Sequence, residues 1–256
     1  MDTNKIKQML AQFKASGVRT SDHIWKPPAG KTTVRLVEYK YDKDNPFVEL
    51  YFHFNIAKNK PMLSPISYGE PDPIVEFANK LKKLGDKESW LLSKKLEPKL
   101  RVYAPIIIRG EENSGVKLWG FGKTVAEEIM AFIVDPDYGN IADTLQGRDI
   151  VVETITKEEA KNLFGKTNIR VKPVATPLHT NAELVQKFLD EQPNIVELFQ
   201  RYTYEDLETV LKEYLEPTEE GVAAATSTAP TTSVSATTSN TELTKSAAAF
   251  NDIFDA

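Results

Sequence analysis

Apolar residues recur along this chain with two periods, and the switches between them outline its elements. Residues 3–15 place Ile6, Met9, Leu10 and Phe13 on one helical face, with Lys5, Lys7 and Lys14 on the others, and Gly17 stops the helix. The period then shortens. TTVRLVEY (32–39) and FVELYFHFNI (47–56) are rich in β-branched and aromatic residues and predict strands, joined by a turn from Asp42 to Pro46. Prolines at 61, 65, 71 and 73 make the next stretch an irregular connection. Helical spacing returns at Ile74, Phe77, Ala78, Leu81 and Leu84 and is closed by Gly85. LRVYAPIIIRG (100–110), EENSG (111–115) and VKLWGFG (116–122) read as strand, turn and strand, a hairpin. KTVAEEIMAFIV continues as a helix with Val125, Ile129 and Phe132 or Ile133 on one side, ending at Asp135-Pro136. DIVVETI (149–155) and NIRVKPV (168–174) predict two more strands, and helices are expected over 181–192 and 204–216.

After Pro217 the composition changes. Residues 222–241 are almost all Ala, Thr, Ser and Pro, which cannot bury enough apolar surface to offset chain entropy, so a flexible linker is expected. It leads to AAAFNDIFDA (247–256), where Phe, Ile and Asp mix. Several strands of this length with a helix after the hairpin suit an α+β protein built on a small Greek-key barrel.

Charge divides along the same line. Residues 1–180 carry 28 Lys/Arg against 23 Asp/Glu, and residues 181–256 carry 4 against 14. A basic body with an acidic tail suggests a surface for a polyanion and a segment able to compete for it. The positive charge is densest from Lys80 to Arg109, with nine basic residues against three acids. The chain has no Cys, which rules out disulfides and thiolate metal sites, and His23, His53 and His179 are scattered. The amino-terminal segment has no apolar h-region and no run of about 18 apolar residues occurs, so neither a secretory signal nor a membrane span is expected.

The stretch KLWGFGKT (117–124) tests for nucleotide chemistry. A phosphate-binding loop needs Gly, four residues, then Gly-Lys-Ser/Thr. Gly122-Lys123-Thr124 supplies the end, but residue 117 is Lys and Gly115 is two positions early. With no G-x-S-x-G element either, and Asp135-Pro136-Asp137 explained by a helix stop, no enzyme is expected. Single-strand binding asks for something different: cations for phosphates and aromatic faces for bases. Residues 74–123 hold both, with Phe77, Trp90, Tyr103, Trp119 and Phe121 among the lysines and arginines. Strand alternation puts Lys117, Trp119 and Phe121 on one face and Val116, Leu118 and Gly120 on the other. That aromatic face is either a stacking platform or part of the core.

These residues carry a resemblance. Trp25-Lys26 before TTVRLV, Pro46-Phe47, the basic segment 87–101, the strand VYAPIII and the string KLWGFGKTVAEEIMAFI resemble the helix-destabilising single-stranded DNA-binding proteins of T-even-type bacteriophages, over residues 23–216. The resemblance implies an OB-type barrel with a helical insert and a basic cleft for the strand. It implies that Phe77, Trp90, Tyr103 and Trp119 contact the strand, that Phe121 lies with them, and that Lys94 and Lys95 match a basic cluster. Arg101, Lys117 and Lys123 join the candidates from proximity and charge. In two respects this chain departs from the phage prototype. The prototype carries zinc in the insert, with a Cys-Pro-x-Cys element, where this chain has Asp72-Pro73-Ile74-Val75. No cofactor or metal is therefore expected, and the insert is expected to be held by apolar packing of Ile74, Phe77, Leu81, Leu84, Leu91 and Leu92. The prototype's arm also carries a basic-plus-hydroxyl motif for cooperative self-association, where this chain offers Thr3, Lys5 and Lys7.

The resulting expectation has five parts: a self-association arm (1–18), an OB-type core (19–180) with a helical insert near 70–98, a helical segment packed on the core (181–216), a disordered linker (217–249) and an acidic tail (250–256). In that tail Phe250, Asp252, Ile253, Phe254 and Asp255 would meet replication or recombination partners. The expected function is sequence-nonspecific, cooperative coating of single-stranded DNA in phage replication, recombination and repair, in the cytoplasm of the infected host. An RNA-binding regulator using the same cleft and a scaffold protein without nucleic-acid affinity are the alternatives.

Overall fold

The computed structural model describes residues 20–57, 60–161 and 165–215. The expected arm with Lys5 and Lys7, and the linker and tail from residue 216 onward, lie outside the described residues. The chain divides into two units, residues 1–50 with 100–199 and residues 51–99 with 200–256. Together they make an α+β fold. Among the described residues no helix is long and apolar enough to cross a membrane.

The first unit is a largely antiparallel sheet in the order β1-β6-β5-β2-β7-β8. Its strands are β1 (Ile24–Trp25), β2 (Gly30–Leu36), β5 (Lys99–Ile108), β6 (Lys117–Phe121), β7 (Arg148–Ile155) and β8 (Lys166–Ala175). The short β1, which the periodicity did not mark, runs parallel to β6 and pairs Trp25 with Trp119. One sheet face turns Val34, Leu36, Val102, Ala104, Ile106, Ile150 and Val152 into the core. There they meet Val125, Ala126 and Ile129 of the helix Lys123–Val134. The opposite face is covered at Val37 and Ile107 by Phe188 and Leu184 of the helix Ala182–Asp190.

Charge is buried where β2 pairs with β7. Arg35 lies opposite Asp149 in the register and is fully enclosed. Burial pulls its guanidinium down to about 10, against the opposing pull of Asp149. Arg109 reaches the same carboxylate at 2.9 Å and Lys172 at 3.6 Å. The two arginines also clamp irregular backbone: Arg35 donates to the carbonyls of Asp143 at 2.8 Å and Thr176 at 2.7 Å, and Arg109 to those of Pro177 and Leu178. The 135–147 loop is thereby fixed to the sheet. Gly147 is required there, because a Cβ would stand 2.4 Å from Arg35 Nη2 and 2.6 Å from the Ile141 carbonyl.

In the second unit, β3 (Val48–His53) pairs through Phe52 and His53 with β4 (Met62–Leu63), a strand hidden among the prolines. Three helices follow: α1 (Pro73–Leu84), α2 (Lys87–Leu96) and α5 (Tyr204–Leu215), counting Lys123–Val134 as α3 and Ala182–Asp190 as α4. Asp72 caps α1 with Pro73 in its first turn, and Gly85 ends it in the left-handed region at φ 78°. Its core joins Ile74, Phe77, Ala78, Leu81 and Leu96 with Leu207, Leu211 and Leu215 of α5, and Leu92 packs against it. Leu84 and Leu91, expected inside, are exposed: Leu84 is the last residue of α1, where the helix stops, and Leu91 turns to the outer side of α2. The second unit begins at Tyr51, and α4 falls in the first unit and α5 in the second.

Gly147→Ala should lower the unfolding free energy by about 1–3 kcal/mol, since backbone and a clamped guanidinium must both move. Urea denaturation checks this, and an unchanged midpoint would mean that the loop yields.

Candidate nucleic-acid interface

In the first unit the candidates sit on the β5–β6 hairpin, where antiparallel pairing sets Tyr103 opposite Gly120 and Ala104 opposite Trp119. The predicted alternation holds, but the aromatic face is the inner one. Trp119 is 1% exposed, with its ring 4.6 Å from Phe121 and 5.8 Å, edge-on, from Trp25. Phe121 in turn meets Phe47. Both rings complete the core above α3, which corrects the stacking-platform reading for Trp119 and Phe121. Lys117, at the rim, donates from Nζ to the carbonyl of Asp22 at 3.0 Å.

Tyr103 belongs to the other face. Its ring crosses β6 at Gly120, where a Cβ would lie 2.6 Å from the ring. Only glycine admits that approach. The far side of the ring leans on Phe199, 5.1 Å between centroids. Burial pushes the phenol's pKa up, against the positive charge of Arg101. Arg101, two residues away and therefore on the same face, is exposed, with Nη1 3.9 Å from where a Gly122 side chain would begin. Arg101, Tyr103 and Phe199 thus gather over a glycine-lined ribbon, Gly120 to Gly122. Gly122 is also the N-cap residue of α3, so the Gly-Lys-Thr string marks a strand-to-helix junction. Lys123 projects from its first turn and pairs with Glu127 at 3.5 Å, a surface pair worth little.

In the second unit the candidates sit on α2. Trp90 is 50% exposed, and Lys94, one turn on, holds its ammonium 5.7 Å from the ring centroid. Lys95 is exposed beside it. Lys94 and Lys82 share the Glu97 carboxylate, which hydrogen bonds from Lys82 and then Lys94 hold below its ordinary pKa. Phe77, expected at the strand, is fully buried in the core beneath α1, because it lies on the same helical stripe as Ile74 and Leu81. Trp90 and Lys94 are therefore brought together, Lys95 is exposed at the next position of the helix, and Phe77 is not among them.

Three aromatic positions escaped the sequence reading. Tyr41 is half exposed in a turn, with Lys40 5.7 Å from its ring. An aromatic beside a lysine in a turn was a usable signal. Arg201 lies over Tyr68 at 3.9 Å in the second unit, a contact between distant parts of the chain that no local pattern announces. Phe199 owes its place beside Tyr103 to the same kind of long-range contact.

The family model described as gp32 DNA binding protein like matches residues 29–216. The chain belongs to the gp32-like DNA-binding family. Comparison with individual curated proteins gave no match. The gp32-like region takes in every candidate from Phe77 to Lys123, together with Tyr41, Tyr68, Phe199 and Arg201. Lys5, Lys7 and the tail residues Phe250 to Asp255 fall outside it.

Burial separates the tryptophans of this gp32-like chain by role. Trp119→Ala should cost about 3–5 kcal/mol of stability. Trp90→Ala should stay within about 0.5 kcal/mol of the parent. Chemical denaturation of the two variants checks the order, and a silent Trp119→Ala would return that ring to the surface.

Proposed function

We propose that this protein coats single-stranded DNA without sequence preference and without catalysis, as the phage resemblance implies. The family match supplies the DNA. The observation that carries the single strand is Trp90, half exposed on α2 with the Lys94 ammonium beside it and Lys95 exposed on the same helix. An open ring face next to ammonium groups is what a base and its phosphate require, and a base stacked on such a ring is worth about 1–3 kcal/mol. Arg101 offers an exposed cation on the sheet of the first unit, read here as the OB-type core, whereas the Tyr103 ring beside it is buried against Gly120 and Phe199. Lys117 and Lys123 add charge nearby. Strands bound this way leave duplex at a disadvantage, because stacking within the duplex already covers the base faces.

On this reading the protein serves DNA replication, recombination and repair in the cytoplasm of an infected bacterium. Lys5 and Lys7 of the arm support self-association along the strand. The tail, with Phe250, Asp252, Ile253, Phe254 and Asp255, recruits partner proteins and competes with DNA for the basic surface.

Titration of intrinsic fluorescence with single-stranded and duplex DNA at two salt concentrations tests the core of this. The single strand should quench, less so as salt rises, and Trp90→Ala should remove most of the quenching and about 1–3 kcal/mol of affinity. Equal response to duplex, or full affinity in Trp90→Ala, would reject it. A ribo-oligonucleotide that binds more tightly would favour the RNA reading. Removing residues 217–256, which carry one Lys against five acids, should tighten binding at low salt and matter less at high salt. Weaker or unchanged binding would reject the competing tail.

A further inference from the structure

The phage resemblance implies zinc in the inserted unit, and the residues there do not fit it. Asp72 stands at the first Cys position of the Cys-Pro-x-Cys element. Among the described residues no group of three or more His, Cys, Asp or Glu side chains is placed to hold a metal ion. The donors present are already committed. Asp72 is buried, and its Oδ1 accepts from the backbone N–H groups of Ile74 at 2.9 Å and Val75 at 3.2 Å. Its Oδ2 accepts from His53 Nε2 at 2.9 Å and from the Ser64 hydroxyl. An ionised carboxylate has about four lone-pair positions, and four donors fill them. The other His53 nitrogen, Nδ1, lies 2.9 Å from the Leu96 carbonyl. Both ring nitrogens face acceptors, and with Asp72 ionised hydrogen bonds at both call for the doubly protonated ring, which has no lone pair left for a metal.

We propose that the Asp72 carboxylate, paired with a His53 imidazolium, does the cross-linking that zinc does in the phage prototype and locks this unit without metal. Four segments meet at the pair: the end of β3 through His53, the residue after β4 through Ser64, the first turn of α1, and the last residue of α2 through Leu96. The helix ends suit the charges they receive. A carboxylate sits at the amino terminus of α1 and a cation at the carboxyl terminus of α2, each the sign the helix dipole favours. Burial alone would push the Asp72 pKa up; hydrogen bonds from His53, Ser64 and Val75, with the charge of His53, outweigh it and hold it down. The lock also sets the pitch of α2, so His53, Asp72 and Ser64 are positioning residues for Trp90, Lys94 and Lys95. That last step rests on the proposed function.

The test uses the full chain as purified. Metal content, thermal unfolding with and without 1,10-phenanthroline, and ring-nitrogen NMR of the three histidines are measured. The expected result is no stoichiometric zinc, an unchanged midpoint, and one histidine with both ring nitrogens protonated and slow to exchange. One zinc per chain, a midpoint lowered by the chelator, or an unprotonated His53 nitrogen would overturn the lock. Asp72→Asn, equal in size, should lower the midpoint by roughly 10 °C and abolish the doubly protonated signal, with no recovery on adding zinc. An unchanged midpoint there overturns the proposal. Ser64→Ala removes one donor of four and should stay folded, with a smaller drop in midpoint and a severalfold loss of single-strand affinity that Ser64→Thr restores. Affinity equal to the parent's in Ser64→Ala would remove the positioning role. A wild-type protein that ignores single strands would sink the coating function and leave the metal and NMR results to decide the lock.

Discussion

A β-strand turns successive side chains to opposite faces, and β5 uses both. Val102, Ala104 and Ile106 point into the core, while Arg101 and Tyr103 point away from it. Everything assigned to the first unit depends on that alternation. It fixes the inward direction of Trp119 and Phe121 on β6, since they flank the same core across the ladder. It also brings Tyr103 over Gly120, where the missing side chain is what lets the ring approach its neighbour strand. A one-residue slip of β6 would exchange these roles, turning Trp119 and Phe121 outward and Leu118 and Gly120 inward. Core packing and the outer surface are therefore one constraint, and substitutions that loosen the inner face also blur the outer one.

Two buried charge centres hold irregular backbone against regular elements, and they do it in opposite ways. At Asp149 several cations gather on one carboxylate, and the spare guanidinium donors reach out to loop carbonyls. At Asp72 one carboxylate gathers several donors, two of them helix N–H groups. Each centre is costly to bury and costlier to break, because a lost partner leaves a desolvated charge behind. Both sit where apolar packing alone has little purchase, at loops and helix ends with unsatisfied backbone groups.

The elements of this protein were largely legible because its periods are clean. TTVRLVEY, VYAPIII and the helix after Gly122 fall within a few residues of where their patterns place them. What escaped was of two kinds. β1 and β4 are two residues long, too short to show a period, and exist only because a partner strand is there. Burial was the other. Phe77, Trp119 and Phe121 look alike in sequence to Trp90, all aromatic residues near lysines, and only the third dimension separates those with a core behind them from the one on the outside of α2. Leu84 and Leu91 failed in the converse direction, since helical spacing predicts a stripe but not where the covering element ends. Asp72 was marked only as standing where the prototype has a cysteine, and His53 and Ser64, a scattered histidine and a serine, carried no sign that they meet it.

The division between buried and exposed aromatics also explains how a basic surface can coexist with a stable body. Trp119 and Phe121 spend their area on the core and are unavailable to bases. Trp90 contributes little to folding, because half of it is exposed. A ring in that position is free to be covered, and covering it recovers apolar contact that folding left unused. Its neighbour Lys94 shares the partly exposed Glu97 carboxylate with Lys82. Trp90 and Lys94 thus stand on a helix whose carboxyl end is tied through the Leu96 carbonyl to His53.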